Sequence, residues 1–516
     1  MRIKIKWQGI LYWGLFLLLS TVMCIALFGT LGIYEVNPTD EATHGVNAYE
    51  MIKNGNLWIN TLRYEVDYYN TKPPLMLWLI ILGYKLFGYT PLGMRFFSAA
   101  AGLMIYVLAF WFIYKVRGKM QAILFSAFLP ACTALFNFHM FRSGDMDSVY
   151  TLCFFIAIIA IYNALKNITF LILYGIMLGL GFMCKATHAI TFAAVGILFI
   201  PYIGKRFGWA KTVSFYLLSY LAALAVILPW AIVRVRFDGT AFFRDILFSE
   251  TMGRVKGSAS NSVRDYFDYT MQLLGEPICF AIILVIVIAV SIKLLEYRRG
   301  NKARTREGIR KPFLDALPEP YIYLLSAWFI VVVGAYSIAK AGLGWYIYAA
   351  YIPLIMLGAE ALTYLTGKLA AYRKSMGKAM IAVFVLFSII LSINMIRKYP
   401  WSGSGGSPRI GFYDTVKGLN HSEDGTFSGR AAYIENGFNL SFEQNRWEHD
   451  YMFYAVTTLD VRCMDGGAPA FLETDDREAI LLLDKTLWEE YAPVLTGYVI
   501  LEDSGFLVFS KDKYGE

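Results

Sequence analysis

Long apolar runs, separated by short polar or charged segments, dominate the chain up to about residue 400. The first run, 11–34, contains no charged residue and is long enough to cross the hydrocarbon core of a bilayer as a helix. Runs of similar character follow at 93–114, 120–138, 148–165, 168–184, 186–203, 212–233, 277–295, 321–339, 345–366 and 379–396. The pattern predicts an α-helical polytopic membrane protein with about eleven transmembrane helices.

The composition supports this class of protein. Hydrophobic residues make up 57% of the 516 positions and charged residues only 17%, which is less polar than the surface of a soluble protein requires. The first apolar run is longer than the core of a signal peptide and has no cleavage site of small residues. We therefore expect it to be retained as the first transmembrane helix.

Basic residues in the short loops predict the orientation of the helices, because cytoplasmic loops carry the excess of Lys and Arg. With a cytoplasmic amino terminus, every strongly basic short loop is also cytoplasmic. These loops contain Lys115, Arg117, Lys119, Lys166, Lys205, Arg206, Lys211, the cluster 298–311, Lys368, Arg373, Lys374 and Lys378. An odd number of spans places the carboxyl terminus outside. The net charge of +8 thus reflects membrane orientation, and no nucleic acid partner is expected.

Three segments on the predicted outer side are too long or too polar to be simple connections, and chemistry is expected there. They are 34–92, 234–276 and the residues after about 400. In the first of them, the apolar run Leu75–Phe87 is too short to cross a bilayer. We expect it to lie in the membrane interface or to re-enter the membrane.

The carboxyl-terminal part begins with a linker rich in Gly and Ser and continues with a soluble type of sequence. Runs 452–461, 498–501 and 506–509 have the composition of strands, and 476–491 that of a helix. The sequence therefore predicts two domains. The first, 1–398, is the transmembrane domain, and the second, 399–516, is a small extracytoplasmic α/β domain.

An adjacent acid pair, Asp40-Glu41, follows the first apolar run. One carboxylate could accept a proton from a hydroxyl group if it lies within hydrogen-bond reach and partial burial tunes its pKa. The alternative is structural. Thr39 or Asp40 could cap the helix that follows, with an acid in its first turn favoured by the helix dipole.

A lysine before two prolines, Lys72-Pro73-Pro74, lies on the same predicted side of the membrane. The prolines make the chain rigid and extended, which fixes the place of the lysine. Its ammonium could stabilise a phosphate that leaves with increasing negative charge. A lysine that simply extends toward the interface remains the alternative.

Further charged residues lie in the short outer turns, where basic residues are least expected. Arg142, Lys185 and Lys340 could share an anionic ligand, although interfacial anchoring would also account for each. Asp145 and Asp147 would face the same way in an extended turn. The nearby histidines His44, His139 and His188 are interpreted as packed or surface residues rather than ligands.

The later outer segment is also basic, since it contains Arg234, Arg236, Arg244, Arg254, Lys256 and Arg264 beside Glu250. Such a segment could bind phosphate. Contact with anionic lipid headgroups is the alternative.

Together these segments resemble the lipid-phosphate-dependent glycosyltransferases of the GT-C fold, especially bacterial aminoarabinose transferases and protein O-mannosyltransferases. The resemblance extends over about residues 10–365. Asp40-Glu41 is similar to the acidic pair of that family's first outer loop. The segment Tyr69-Asn70-Thr71-Lys72-Pro73-Pro74 is similar to its aromatic-x-x-Lys-Pro segment.

Other motifs follow in the order that the family shows. Asp147 corresponds to the aspartate that opens the fourth span, Cys184-Lys185 to a Thr-Lys turn, and Glu250-x-x-x-Arg254 to the glutamate and arginine of the later outer loop. Ser337–Lys340, followed by Trp345-Tyr346 and Pro353, resembles the late Ser…Lys…Tyr…Pro element. Gly342 stands where that element has lysine, so Lys340 would have to substitute for it.

The resemblance implies transfer of a sugar from a polyprenyl (undecaprenyl) phosphate carrier to an acceptor at the outer face of the cytoplasmic membrane, with inversion at the anomeric carbon. Asp40 would be the general base, while Glu41 and Asp147 would orient the acceptor or the base. The donor-phosphate ligands would be Lys72, Lys185, Arg254, Lys340 and Tyr346. Additional candidates are Tyr69, Arg142, Asp145 and Glu250.

No resident cofactor is expected, since a lipid-linked donor needs no nucleotide and the chain has no glycine-rich phosphate loop. None of the six cysteines forms a CxxC pair, so no metal or disulfide framework is predicted. A divalent metal bound by Asp40 and Asp147 remains an alternative.

Two other functions remain open. A flippase or transporter of a polyprenyl-linked sugar would share the spans and the phosphate-binding basic residues, but it would not need the acid pair. A non-catalytic protein of envelope assembly would bind no such donor. The sequence also leaves open which sugar is transferred and whether the acceptor is lipid A, another glycan, a teichoic-type polymer or protein.

Overall fold

The described residues of the chain, in a computed structural model, are 7–33, 35–68, 70–137, 139–246, 248, 267–304, 319–339, 343–399, 408–421, 427–436 and 449–513. The predicted site residues Tyr69, Glu250, Arg254 and Lys340 lie outside these ranges.

Helices make up most of the described chain. They are α1 (Trp7–Phe28), α2 (Asp40–Lys53), α3 (Leu75–Phe87), α4 (Pro91–Val116), α5 (Lys119–Phe128), α6 (Asp147–Ala164), α7 (Phe170–Lys185), α8 (Ile190–Phe207), α9 (Trp209–Asp238), α10 (Ala241–Asp245), α11 (Asp268–Gly275), α12 (Pro277–Arg304), α13 (Pro320–Ala339), α14 (Tyr348–Tyr372), α15 (Lys374–Arg397), α16 (Pro408–His421), α17 (His449–Leu459), α18 (Gly467–Glu473) and α19 (Trp488–Leu495). The strands are β1 (Thr61–Leu62), β2 (Glu65–Val66), β3 (Ala431–Glu435), β4 (Arg462–Met464), β5 (Ile480–Asp484), β6 (Tyr498–Asp503) and β7 (Phe506–Lys513).

Within the described ranges, nine apolar helical runs are long and apolar enough to cross a membrane. They are Gly9–Phe28, Pro91–Val116, Asp147–Ala164, Phe170–Phe207, Trp209–Asp238, Pro277–Arg298, Pro320–Ala339, Gly344–Tyr372 and Lys374–Arg397. The predicted fold class is confirmed, and the protein is a multi-pass membrane protein.

One of the nine runs, Phe170–Phe207, contains two of the predicted spans. The chain reverses at the 3₁₀ turn Ala186–Ala189. The Tyr174 hydroxyl then donates to the Phe192 carbonyl at 3.2 Å, a contact that a straight helix could not make. The run is therefore a hairpin of α7 and α8.

The predicted span 120–138 is not a continuous α-helix. Its α-helical part, α5, has 10 residues and gives way to the 3₁₀ turns Leu129–Ala131 and Thr133–Phe136. Pro130 has no N–H group and cannot extend the hydrogen-bond ladder of α5. The two turns carry the chain toward His139, which lies in the candidate site.

Small residues allow close packing of the helices, as in other membrane proteins. An added Cβ at Gly175 in α7 would lie 1.9 Å from the Ser219 carbonyl oxygen of α9. Ser219 Oγ donates to the Tyr216 carbonyl within α9, so this polar group is satisfied inside its own helix. Substitution of Gly175 by a larger residue would separate α7 from α9.

The tail, residues 408–513, contains a five-stranded sheet in the order β4-β3-β5-β7-β6. Strands β4, β3 and β5 are parallel, whereas β5, β7 and β6 are antiparallel. The α/β character predicted for this part of the chain agrees with the sheet. Two local predictions are wrong, because 452–461 lies mostly in α17 rather than in a strand, and 476–491 contains β5 before α19 begins.

Helix α17 joins the tail to the loop between α1 and α4, residues 34–92. It packs along α2, where the Phe453 ring fills the space that a side chain at Gly45 would occupy. Thr43 Oγ1 lies 2.7 Å from His449 Nδ1, and Lys53 Nζ lies 2.7 Å from Asp460 Oδ2. The tail thus holds α2 along its length.

Candidate functional site

A cavity lies where the starts of α2 and α6 meet the end of α7. Its lining is rich in titratable side chains and contains residues from the turn before α6, from the turn after α7 and from the loop 34–92. The lining residues are Asp40, His44, Thr71, Lys72, His139, Asp145, Met146, Asp147, Lys185, Ala186, Thr187, His188, Ile246, Trp345 and Tyr346. Six sequence-predicted site residues therefore meet at one place: Asp40, Lys72, Asp145, Asp147, Lys185 and Tyr346.

Asp40 is the first residue of α2, and an acid at this position is favoured by the helix dipole. Its side chain is 35% exposed, and Oδ2 lies 3.4 Å from Lys72 Nζ. Lys72 follows the extended segment after Asn70, whose backbone N–H donates to Asp67 at 2.9 Å. The rigid Pro73-Pro74 pair then leads into α3.

Two opposing effects determine the pKa of Asp40. Burial raises the pKa of this carboxyl, but the Lys72 ammonium and the rings of His44 and His139 lower it further than burial raises it. The net effect holds the pKa of Asp40 below its ordinary value. The carboxylate is ionised at neutral pH and can accept a proton.

Asp145 lies between two histidines. His139 Nδ1 is 3.0 Å from Asp145 Oδ2, and His44 Nδ1 is 3.2 Å from Asp145 Oδ1. Burial raises the pKa of the Asp145 carboxyl, but His139 and His44 outweigh burial and hold this pKa well below its ordinary value. For His139 the effects are reversed. Burial lowers the pKa of the ring, but Asp145 outweighs burial and raises this pKa above its ordinary value. The His139 ring stacks on Trp345 with centroids 4.0 Å apart.

The second acid–lysine pair is Asp147 with Lys185. Lys185 Nζ lies 2.6 Å from Asp147 Oδ1, and both side chains are buried. The same ammonium lies 4.9 Å from the centroid of the Tyr346 ring. Lys185 reaches this position because α7 ends there and Ala186, with φ of 42°, reverses the chain.

Glu41 has a different environment from Asp40. It is fully buried and binds Arg95 through both oxygens, with Nε–Oε1 at 2.7 Å and Nη2–Oε2 at 2.9 Å. The Gly144 N–H also donates to Glu41 Oε1 at 2.7 Å. Glu41 therefore fastens the turn that carries Asp145 and Asp147 to the start of α2.

Arg142 is bound at the end of α1. Its Nη1 donates to the carbonyls of Ala26 and Leu27, at 2.9 and 3.1 Å, and its guanidinium lies 3.9 Å from the centroid of the Tyr399 ring. Carbonyls in the last turn of a helix accept few intrahelical hydrogen bonds, so a cation is stabilising there. This contact accounts for a basic residue on the side where few are expected.

Sequence reasoning missed the histidines. His44 and His139 are buried, in agreement with the prediction of packed residues, yet both line the cavity and surround Asp145. The spacing of His44 four residues after Asp40 contained the signal, because residues i and i+4 lie on the same face of a helix. His139 carries no comparable periodic signal, since it lies in a turn with φ of 66°.

The chain is similar to known proteins both in sequence and in structure. Residues 71–233 match the family described as dolichyl-phosphate-mannose-protein mannosyltransferase. An undecaprenyl phosphate-alpha-4-amino-4-deoxy-L-arabinose arabinosyl transferase of Pseudomonas savastanoi pv. phaseolicola is 25% identical over 353 residues, which cover 67% of this chain and 60% of that protein. The enzyme of the same name from Aeromonas hydrophila is 26% identical over 328 residues, 62% of this chain and 54% of that protein. The match thus spans less than two thirds of these relatives.

Solved structures share the fold over a longer range. ArnT from Cupriavidus metallidurans, bound to undecaprenyl phosphate, has a TM-score of 0.70 at 13% identity, and the match covers 97% of this chain and 98% of that one. The archaeal oligosaccharyltransferase AglB from Archaeoglobus fulgidus, in complex with an inhibitory peptide and a dolichol-phosphate, has a TM-score of 0.54 at 13% identity, covering 99% and 75%. The resemblance predicted from the sequence is confirmed: this chain is similar in sequence to lipid-phosphate-dependent glycosyltransferases and has the GT-C fold.

Proposed function

We propose that the protein is an integral membrane glycosyltransferase that moves a sugar from a polyprenyl phosphate, such as undecaprenyl phosphate, to an acceptor of the cell envelope. The observation that carries the proposal is the pairing of an ionised, partly exposed Asp40 with Lys72 beside a second lysine, Lys185, in one cavity. The printed names of the relatives, arabinosyl transferases that use undecaprenyl phosphate, support the same donor class.

The reaction needs one base and one stabilised leaving group. Asp40 accepts the proton of an acceptor hydroxyl, whose oxygen attacks the anomeric carbon as the bond from that carbon to the phosphate oxygen breaks. The polyprenyl phosphate leaves with the bonding electrons, and the ammonium groups of Lys72 and Lys185 stabilise its added charge. A single displacement inverts the anomeric carbon.

Other residues support these groups. Asp147 holds Lys185 in place and helps to orient the acceptor, while Tyr346 covers the lysine from the other side. Glu41 acts through position, by fixing the turn of Asp145 and Asp147 to α2. The roles assigned by resemblance to Tyr69, Glu250, Arg254 and Lys340 remain part of the proposal.

A divalent metal is the main alternative for charge stabilisation. Asp40, His139 and Asp145 each offer a ligand atom, and these atoms lie within 4.8 Å of one another. The Lys72 ammonium is 3.4 Å from the Asp40 carboxylate and would repel a cation placed among them, and Asp145 already faces two imidazoles. We therefore favour a metal-independent reaction, which a chelator would leave unchanged; loss of activity with EDTA and recovery with one divalent metal would contradict it.

The orientation follows from the positive-inside rule applied to the helices. With the amino terminus in the cytoplasm, Asp40, Asp147 and Lys185 all lie at the outer face of the cytoplasmic membrane. The tail, treated as a second domain from 399 to 516, lies on that face as well, in agreement with its packing on α2. The acceptor is then a lipid, glycan or protein of the outer side.

The decisive experiment uses purified protein and a panel of polyprenyl-phospho-sugars, with the release of polyprenyl phosphate as the readout. We expect release from one donor class, together with transfer to an envelope acceptor, and loss of both with Asp40→Asn. A flippase would instead move the intact donor between leaflets, and would do so equally well with Asp40→Asn. A protein that binds none of the donors would contradict both functions.

A further inference from the structure

We infer that His44 is a positioning residue that holds Lys72 for the donor phosphate, an inference that rests on the proposed function. His44 lies one helical turn after Asp40 on α2, and its side chain is 2% exposed. Its Nε2 lies 3.4 Å from Lys72 Nζ, and its Nδ1 lies 3.2 Å from Asp145 Oδ1. The imidazole thus bridges the buried acid and the lysine.

The contacts of the ring determine where its proton lies. A lysine ammonium has three donors and cannot accept a hydrogen bond, so His44 Nε2 faces it with a lone pair. The ring proton is then on Nδ1, and Asp145 Oδ1 lies 3.2 Å from this nitrogen without the alignment of a hydrogen bond. His44 Nε2 therefore acts as a hydrogen-bond acceptor for Lys72.

Asp145, the acid that His44 contacts, is itself held in place by several groups. Besides the two histidines, the Ser143 hydroxyl binds its carboxylate, and Ser98 Oγ donates to its backbone carbonyl at 3.2 Å. Glu41 holds the same turn through the Gly144 N–H. A fixed carboxylate 3.2 Å from Nδ1 favours the tautomer of His44 that carries its proton on that nitrogen.

The position of Lys72 matters because its ammonium contacts two groups. Its ammonium lies 3.4 Å from Asp40 Oδ2 and 3.4 Å from His44 Nε2, so it is shared between the base and the ring. Without the ring, the flexible lysine chain would close onto the Asp40 carboxylate alone. Such a contact would withdraw the ammonium from the phosphate and block the base from the acceptor proton.

Two substitutions separate the roles of the two ring nitrogens. The amide of His44→Gln reaches the position of Nε2 and accepts from Lys72, whereas the shorter amide of His44→Asn reaches only the position of Nδ1. We expect His44→Asn to lower kcat about 100-fold, the cost of misplacing a reacting group by about 1 Å, while His44→Gln stays within about tenfold of the wild type. The affinity for undecaprenyl phosphate should fall in His44→Asn and in Lys72→Gln, but not in His44→Gln.

Ser126→Ala is the matched control, because it removes a buried hydrogen bond, from Ser126 Oγ to the Ala122 carbonyl at 3.0 Å within α5, without touching Lys72, His44 or the Asp145 turn. Its kcat should stay near that of the wild type at an equal or larger loss of thermal stability. Equal losses of kcat and affinity in both His44 variants, or losses that follow the unfolding temperature across all three variants, would overturn the inference. Wild-type protein that releases polyprenyl phosphate from no donor would instead contradict the proposed function, and the affinities for undecaprenyl phosphate would still test His44.

Discussion

Asp40 and Glu41 are neighbours in the chain, but their carboxylates have different surroundings: Asp40 opens onto the cavity beside Lys72, and Glu41 is sealed against Arg95. They occupy the first turn of α2, where successive side chains point about 100° apart. One acid is thus available for chemistry and the other fixes the structure around it.

Replacement of Asp40 by Asn should abolish most of the transfer. The amide has nearly the same size but cannot accept a proton, and general-base catalysis contributes about 10²- to 10⁴-fold to such reactions. The rate of polyprenyl phosphate release measures the effect, with donor affinity measured in parallel. Asp503→Asn, which removes the carboxylate of an exposed pair with Lys485 in the tail at 2.5 Å, is the matched control and should leave the rate unchanged.

Replacement of Glu41 by Gln should destabilise the protein rather than stop the reaction. It leaves the Arg95 guanidinium buried without a counter-charge, which costs about 3–5 kcal/mol in comparable buried pairs. The unfolding temperature in detergent should fall, and Glu41→Gln/Arg95→Met should recover part of the loss. A variant that unfolds like the wild type but turns over as slowly as Asp40→Asn would show that Glu41 takes part in the chemistry.

Lys72→Gln should change the pH dependence of the reaction as well as its rate. Lys72 is the main group that lowers the pKa of Asp40, whereas burial raises it. Without the ammonium the pKa of Asp40 rises, so the acidic limb of the kcat–pH profile should move to higher pH. An unmoved limb with a reduced rate would mean that Lys72 acts on the donor alone.

The junction of the tail with α2 should weaken in mild acid. Burial, and then Arg63, lower the pKa of His449 from 6.5 to about 4, so the folded protein keeps this ring neutral. Between these values the unfolded chain binds the proton and the folded chain does not, so stability present above pH 6.5 is lost as the pH falls toward 4. The loss reaches about 3 kcal/mol.

The unfolding temperature, measured at several values between about pH 7.5 and 4.5, would test this effect, because histidine titrates within this range. His449→Asn keeps a polar atom for Thr43 but does not titrate, so its unfolding temperature should change less over the same range. Equal pH dependence in the two proteins would assign the effect to other groups.

The sequence predicted the membrane class, most of the spans and six of the residues that line the cavity. Those predictions rest on the lengths of apolar runs and on motifs of neighbouring residues, and both are contained in short stretches of the sequence. It could not predict the partner of Glu41, because Arg95 lies 54 residues away in α4. Nor could it predict α17, whose strand-like residues form a helix because they are buried between α2 and α16.

The contact between Thr43 and His449 joins positions 406 residues apart. The helix that begins with Asp40 is therefore made well before the residue it contacts, and it acquires this packing only after residue 449 has been synthesised. An incomplete chain already inserted in the membrane would hold the base on an unsupported helix. On the proposed function, such a chain would lack a firmly placed base until the tail has packed on α2.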